Sequence, residues 1–233
     1  MRHLVLLPAM LCDEELYRPQ IEALAGEANL TPLVIAETGM AECAAAVLRQ
    51  APPQFVLVGT SFGASLALEV AITAPTRVVG LWLMGCNPGP HGGPEAGGRL
   101  SDRVQADQFE DVVDELASTI VYAPGYNGSV ARAAFVRMAR RLGSAVFLNQ
   151  NGSLLARHDR RDNLASIQCP TLLIWGREDE FTGIAHAALM ASRMPRASLT
   201  VLDQCGHLPT LEQPAAVTDA VRTWLRADIR AST

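Results

Sequence analysis

The sequence predicts an α/β fold: a doubly wound, mostly parallel sheet of about six strands with a helical insert in the middle of the chain. Two observations carry this. Short β-branched or leucine-rich runs alternate with longer segments of helical period, the sequence form of a parallel sheet covered on both faces. That alternation stops after Met84 and resumes at Thr171. A chain of 233 residues is long enough for one large core and short for two complete domains, so a single domain is expected.

Taken in order, His3 to Leu7 is the first strand-like run. Leu16 to Ala25 has helical character, Leu33-Val34-Ile35 reads as the second strand, and alanine-rich Ala41 to Gln50 reads as a helix stopped by Pro52-Pro53. Gln54 to Val58 is a buried strand, followed after three residues by a helix from Phe62 to Thr73 that Pro75 terminates. Val78 to Met84 is strand-like again. Gly85 to Gly98 mixes prolines with repeated glycines, including His91, and predicts irregular structure.

From Ser101 to about Arg160 there are helical segments without strands: Ser101-Asp102 reads as a cap, then Val104 to Ile120, then Ser129 to Leu142. Strands return at Thr171 to Trp175 and Ser198 to Leu202, with helices at Ile184 to Arg193 and Pro214 to Ala227. The expected organisation is a core formed by residues 1–85 and 161–233, with residues 86–160 as a helical lid or cap.

Composition excludes several classes of function. A net charge of −5 with scattered basic residues offers no stripe to neutralise phosphates, so nucleic acid is not an expected partner. The N-terminal apolar run is too short for a signal-peptide core and no later run approaches a membrane span, which predicts a soluble, cytoplasmic protein. Cys12, Cys43, Cys86, Cys169 and Cys205 are odd in number and form no C-x-x-C pair, so free thiols are expected, with neither a disulfide framework nor a metal site.

Gly59-Thr60-Ser61-Phe62-Gly63 matches the G-x-S-x-G pattern, which has a steric reason. A serine at the tip of a very tight strand-to-helix turn brings the positions two before and two after it together, too close for large side chains. The helix that follows points free N–H groups at the space beside the serine. A strand ending at Val58 and a helix opening at Phe62 are the context this motif requires, and no Gly-Lys-Ser/Thr follows to make the turn a phosphate loop.

With Ser61 as nucleophile, a carboxylate and then a histidine should follow, each on a loop after a strand, because parallel strands gather their C-terminal ends at one edge. Glu178, Asp179 and Glu180 follow the Thr171 strand, and His207 follows the Ser198 strand. Asp179 is favoured over its neighbours because a short, stiff side chain holds an imidazole better. His3, His91, His158 and His186 do not stand at strand ends and are weaker candidates.

At this point the chain resembles the α/β-hydrolase superfamily, in particular its small esterase-like members that carry a helical lid. The resemblance rests on the Gly59 to Met84 unit, Cys169-Pro170-Thr171, Gly176-x-x-Asp179, and Gly206-His207-Leu208-Pro209 followed by Glu212-Gln213-Pro214. It implies a Ser61, His207, Asp179 triad without a cofactor, and an oxyanion hole from the backbone N–H groups of Met10 and Phe62. Pro8-Ala9 replaces the His-Gly pair usual after the first strand of this region.

The expected activity is carboxylic-ester hydrolysis through an acyl-enzyme, on a small ester-like molecule with an apolar acyl or aryl group. Thioester and carbon–carbon bond hydrolysis use the same residues, and a ligand-binding protein that keeps the fold is the rival of another class. Leu11, Met84 and Leu208, apolar and beside the motifs, are the expected pocket residues.

Overall fold

A computed structural model describes residues 2–90 and 94–227. The elements run β1 (Arg2–Leu7), a 3-10 turn (Glu14–Tyr17), α1 (Arg18–Leu24), β2 (Ala28–Pro32), α2 (Met40–Gln50), β3 (Phe55–Thr60), α3 (Phe62–Thr73) and β4 (Val78–Met84). Then come α4 (Pro94–Gln105), α5 (Phe109–Thr119), α6 (Gly128–Leu155), a second 3-10 turn (Arg161–Ser166), β5 (Thr171–Gly176), α7 (Ile184–Arg193), β6 (Ala197–Leu202), α8 (Pro209–Glu212) and α9 (Pro214–Ala227). The six strands form one sheet in the order β2-β1-β3-β4-β5-β6, and every pairing is parallel.

Because side chains alternate across a strand, each central strand feeds two cores. Leu4, Leu6, Val56, Val58, Trp82, Met84, Leu172 and Ile174 point into one, shared with α5, α6 and α9. Val5, Leu7, Leu57, Leu81, Leu83, Leu173 and Trp175 point into the other, under α2, α3 and α7. β3 and β5 are buried along their whole length, which is why they read as unbroken apolar runs.

Five expectations need correction. The second strand is Ala28–Pro32, not Leu33 to Ile35. It lies at the sheet edge, pairing Arg2 with Ala28 through Leu6 with Pro32, so its residues alternate between burial and solvent and form no apolar run. Pro32, which has no N–H to donate, is tolerated at such an edge. The stretch from Gly85 to Gly98 is not irregular throughout, since α4 opens at Pro94, where proline's fixed φ suits a first helical turn. His91 lies outside the described residues.

Ser101 and Asp102 sit inside α4 and cap nothing. The helix expected from Val104 to Ile120 is two, α4 and α5, separated where Asp107 takes a left-handed φ of 60°. The helix expected to end at Leu142 continues to Leu155 after Gly143 breaks the helical path at φ 81°.

The segment between β4 and β5 is tied to the rest of the fold by charge as well as by packing. Arg141 on α6 contacts Asp13 at 2.6 Å and Glu15 at 2.9 Å, and Arg137 contacts Glu15 at 2.5 Å. Arg160 holds Glu69 of α3 through two hydrogen bonds, 2.8 and 2.7 Å. Among the described residues no helix is long and apolar enough to cross a membrane.

The fold predicts where stability is concentrated. Leu83, fully buried at the centre of β4, should cost about 2–5 kcal/mol when truncated to alanine. Urea denaturation of Leu83→Ala is expected to show a lower midpoint with an unchanged slope.

Candidate active site

The chain leaves β1 to form β2 on one side and returns as β3 on the other, so β1 and β3 flank the point where strand order reverses. A crevice opens at such a point beyond the C-terminal ends of the strands. Met10 follows β1, Ser61 follows β3, Gly85 follows β4, Asp179 follows β5 and His207 follows β6. Every sequence-predicted chemical group therefore converges on one rim.

Ser61 sits between β3 and α3 at φ 56° and ψ −112°, a strained backbone for a residue with a side chain. The turn is possible because Gly59 and Gly63 lack side chains. A Cβ on Gly59 would stand 2.5 Å from the Gly63 carbonyl oxygen, and a Cβ on Gly63 would overlap the Leu7 carbonyl. The Ser61 N–H donates to Met84 O at 2.9 Å, fastening the turn to the neighbouring strand. The backbone N–H groups of Met10 and Phe62 have no acceptor among the described residues.

Leu11, next to Met10, takes a left-handed φ of 59° and donates its N–H to Gln150 Oε1 at 3.0 Å. Gln150 is buried on α6, and its amide in turn donates to Ile35 O at 2.9 Å. This support for the loop after β1 is invisible in the sequence, because a glutamine on a helix reads as solvent-facing.

Asp179 and His207 form a buried pair with Asp179 Oδ2 2.8 Å from His207 Nδ1. Oδ1 of Asp179 accepts the N–H groups of Phe181 and Thr182, both at 2.9 Å, and Oδ2 also accepts the Thr182 hydroxyl at 2.7 Å. Burial pushes the Asp179 carboxyl up, but the charge and hydrogen bond of His207 and the Thr182 bonds outweigh it and hold the group below its usual value. Of its two acidic neighbours, Glu178 accepts the Cys205 N–H at 2.9 Å and Glu180 is exposed.

The imidazole of His207 packs over Gly85, where a Cβ would come within 2.6 Å of Cε1, and under the Phe181 ring at 5.2 Å between centroids. Its loop is held by Glu212, whose carboxylate accepts N–H groups from Gly206 at 2.8 Å and from Leu208 and Tyr122 at 2.9 Å. Burial drives the Glu212 carboxyl above its ordinary value against the pull of these donors. A glutamate between a Leu-Pro-Thr-Leu run and Gln-Pro gives no sequence hint of that task.

Ser61 and His207 line one cavity of about 460 Å³, together with Met10, Leu116, Asn151, Leu154 and Arg157. No hydrogen bond joins Ser61 Oγ to the imidazole among the described residues; such bonds commonly tighten only when substrate enters. A smaller apolar recess opens beside the same two residues, walled by Leu116, Ile120 and Phe135.

The expected pocket residues lie elsewhere: Leu11, Met84 and Leu208 are fully buried in the core and do not line the cavity. Three helices of the insert supply lining residues instead, with Leu100 from α4, Leu116 from α5 and Leu154 from α6. His186, on α7, also lines it. The five cysteines are free, and the described residues contain no cluster of three or more His, Cys, Asp or Glu able to hold a metal.

Several known proteins are similar. A 2-hydroxy-6-oxononadienedioate/2-hydroxy-6-oxononatrienedioate hydrolase of Pseudomonas putida is 28% identical over 176 residues, 65% of this chain and 55% of the relative. The chain thus matches about half the length of that relative. A pimeloyl-[acyl-carrier protein] methyl ester esterase of Yersinia enterocolitica is 26% identical over 189 residues, 78% of this chain and 73% of the relative.

Among solved structures, a thermophilic esterase from Thermogutta terrifontis superposes with a TM-score of 0.88 at 23% identity, covering 97% of this chain and 90% of the other. An enol-lactonase from Burkholderia xenovorans superposes with a TM-score of 0.87 at 17% identity, covering 97% and 91%. Likeness at these identities establishes the shared fold. A family sequence profile matches residues 15–220, which include Ser61, Asp179 and His207, and the chain belongs to the Alpha/beta hydrolase family.

Proposed function

We propose that the protein is a serine hydrolase that cleaves a carboxylic ester through Ser61, His207 and Asp179 and an acyl-enzyme intermediate. The observation that carries this reading is the buried Asp179–His207 pair, 2.8 Å apart, opening on the same cavity as a serine in a strained strand-to-helix turn. In this reading His207 Nε2 takes the Ser61 proton as Oγ attacks the carbonyl carbon. Asp179 holds Nδ1 and so fixes which ring nitrogen is the base. The Met10 and Phe62 N–H groups donate hydrogen bonds to the oxyanion; one such donor is worth about 2.7–4 kcal/mol of barrier in comparable sites. The imidazolium then protonates the leaving alcohol, and water, activated by the same imidazole, cleaves the acyl-enzyme.

The resemblance to a methyl ester esterase supports an ester substrate. The second reading, carbon–carbon bond hydrolysis by the same residues, is favoured by the Pseudomonas relative, which is named for a keto dicarboxylate without an ester to cleave. In either case residues 86–160 act as a cap over the site, because α4, α5 and α6 supply much of the cavity wall.

Three outcomes follow. Ser61→Ala is expected to lose turnover of 4-nitrophenyl acetate by about a million-fold in kcat while retaining its circular dichroism spectrum; undiminished hydrolysis by that variant would eliminate the mechanism. Asp179→Asn should keep the geometry but stabilise the wrong tautomer, lowering kcat by about 10,000-fold.

The depressed carboxyl of Asp179 also sets a stability trend. The unfolded group titrates near 3.9, so its contribution is complete above about pH 5 and disappears as pH falls through the lower folded value. Urea midpoints measured from pH 7 down to pH 3 should therefore decline less steeply in Asp179→Asn than in the parent.

A further inference from the structure

The cavity has a charge that the proposed chemistry does not use. Arg157, just beyond α6, lines it together with Ser61, and also borders a crevice beside Ser65 and Asn87. Ser65 follows Ser61 by four residues on α3, one helical turn or about 6 Å along. Arg157 therefore faces the same cavity as the candidate nucleophile, on the side where Ser65 and Asn87 lie.

Among the described residues only Nε of Arg157 is engaged, donating to Gly89 O at 2.9 Å. No carboxylate lies within ion-pair distance of it among the described residues, whereas the neighbouring Arg160 and Arg161 each have one, Glu69 and Asp159. The four N–H bonds of the terminal nitrogens thus have no acceptor among the described residues. Among the described residues, Glu69, which borders the same crevice, is already held by Arg160 through two hydrogen bonds. The Cys86 thiol is pushed up to about 12 by burial, and His186 is pushed down by burial and by Arg157 itself, so both stay neutral near pH 7. Glu180, the other charged residue of the lining, is exposed.

A half-buried cation with no ion-pair partner among the described residues is unfavourable in the free protein: burial pushes the Arg157 guanidinium below its ordinary value. An incoming carboxylate relieves that cost and matches the planar fork with two parallel hydrogen bonds. We infer that Arg157 binds a carboxylate carried by the substrate in the cavity it shares with Ser61, while the apolar recess of Leu116, Ile120 and Phe135 takes an apolar part of the same molecule. This deepens the hydrolase reading of the same site, and names its substrate class as a half-ester or other acyl compound bearing a free acid.

Binding isolates the inference from catalysis. Isothermal titration of the Ser61→Ala protein with monomethyl glutarate and with neutral dimethyl glutarate is expected to show the monoanion bound about tenfold or more tightly. Arg157→Met should abolish that preference, and Arg157→Lys, which keeps the charge without the fork, should reduce it several-fold. Equal binding of the two probes by the Ser61→Ala protein, or a preference undiminished in either arginine variant, overturns the inference. If Arg157→Met fails to fold by circular dichroism, the lysine variant decides. Turnover of 4-nitrophenyl acetate by the parent protein tests the serine-hydrolase reading separately: an inactive parent whose Ser61→Ala form still prefers the monoanion sinks that reading and leaves the carboxylate site standing.

Discussion

The backbone of α3 touches the backbone leaving β1, and the site is organised by that contact. Gly63 lies against the carbonyls of Leu7 and Pro8, and Gly59 lies against Gly63 and Ala64. Side chains at either glycine would force the helix away from the strands. With both absent, the first turn of α3 closes onto the loop after β1 that carries Met10. The cost is the backbone of Ser61, about 1–3 kcal/mol for a residue held in such a conformation. The surroundings meet it: β3 is buried along its length, α3 is buried from Phe62 to Ala71, and the Ser61 N–H is bonded to β4.

On the opposite side of the crevice, three carboxylates divide the work of holding one imidazole. Asp179 bonds the ring itself. Glu178 holds the Cys205 N–H and Glu212 gathers three more, so the backbone on both sides of His207 is fixed by acceptors brought from β5's loop and from α8. Glu212 also joins the Tyr122 N–H to this loop, and the His207 N–H donates to Ile120 O at 3.0 Å. The end of α5 is thereby attached to the histidine loop, so the insert and the core share hydrogen bonds at the site.

How much of this could be read from residues alone follows from what each element is buried against. α3, α7 and α9 begin and end where periodicity, proline and glycine place them, because each packs one continuous stretch on the sheet. β2 escaped detection because an edge strand half in solvent has no apolar run. The breaks at Asp107 and Gly143 escaped because a left-handed residue interrupts a helix without disturbing its hydrophobic period. At the site, Ser61, Asp179 and His207 stand out because each follows a strand with its own steric signature. Thr182, Gln150, Glu212 and Arg157 carry no such mark, since their partners are backbone groups or side chains from distant elements. Proximity in sequence misdirected the pocket reading: Leu11, Met84 and Leu208 adjoin the motifs yet face the core.

Three of the apolar residues that face the cavity, Leu100, Leu116 and Leu154, come instead from the insert, and this segment is not an independent flap. α6 grips the loop after β1 at two levels: Arg137 and Arg141 pair with Asp13 and Glu15, and buried Gln150 holds the N–H of Leu11. Met10 stands one residue from that last bond. The helix that supplies Leu154 to the cavity wall therefore also positions one of the two proposed oxyanion donors. A displacement of α6 large enough to reshape the wall would strain or break the Gln150 bond and turn the Met10 N–H. In the proposed mechanism, substrate fit and oxyanion stabilisation are coupled through a single side chain, so changes in the insert would act on rate as well as on affinity.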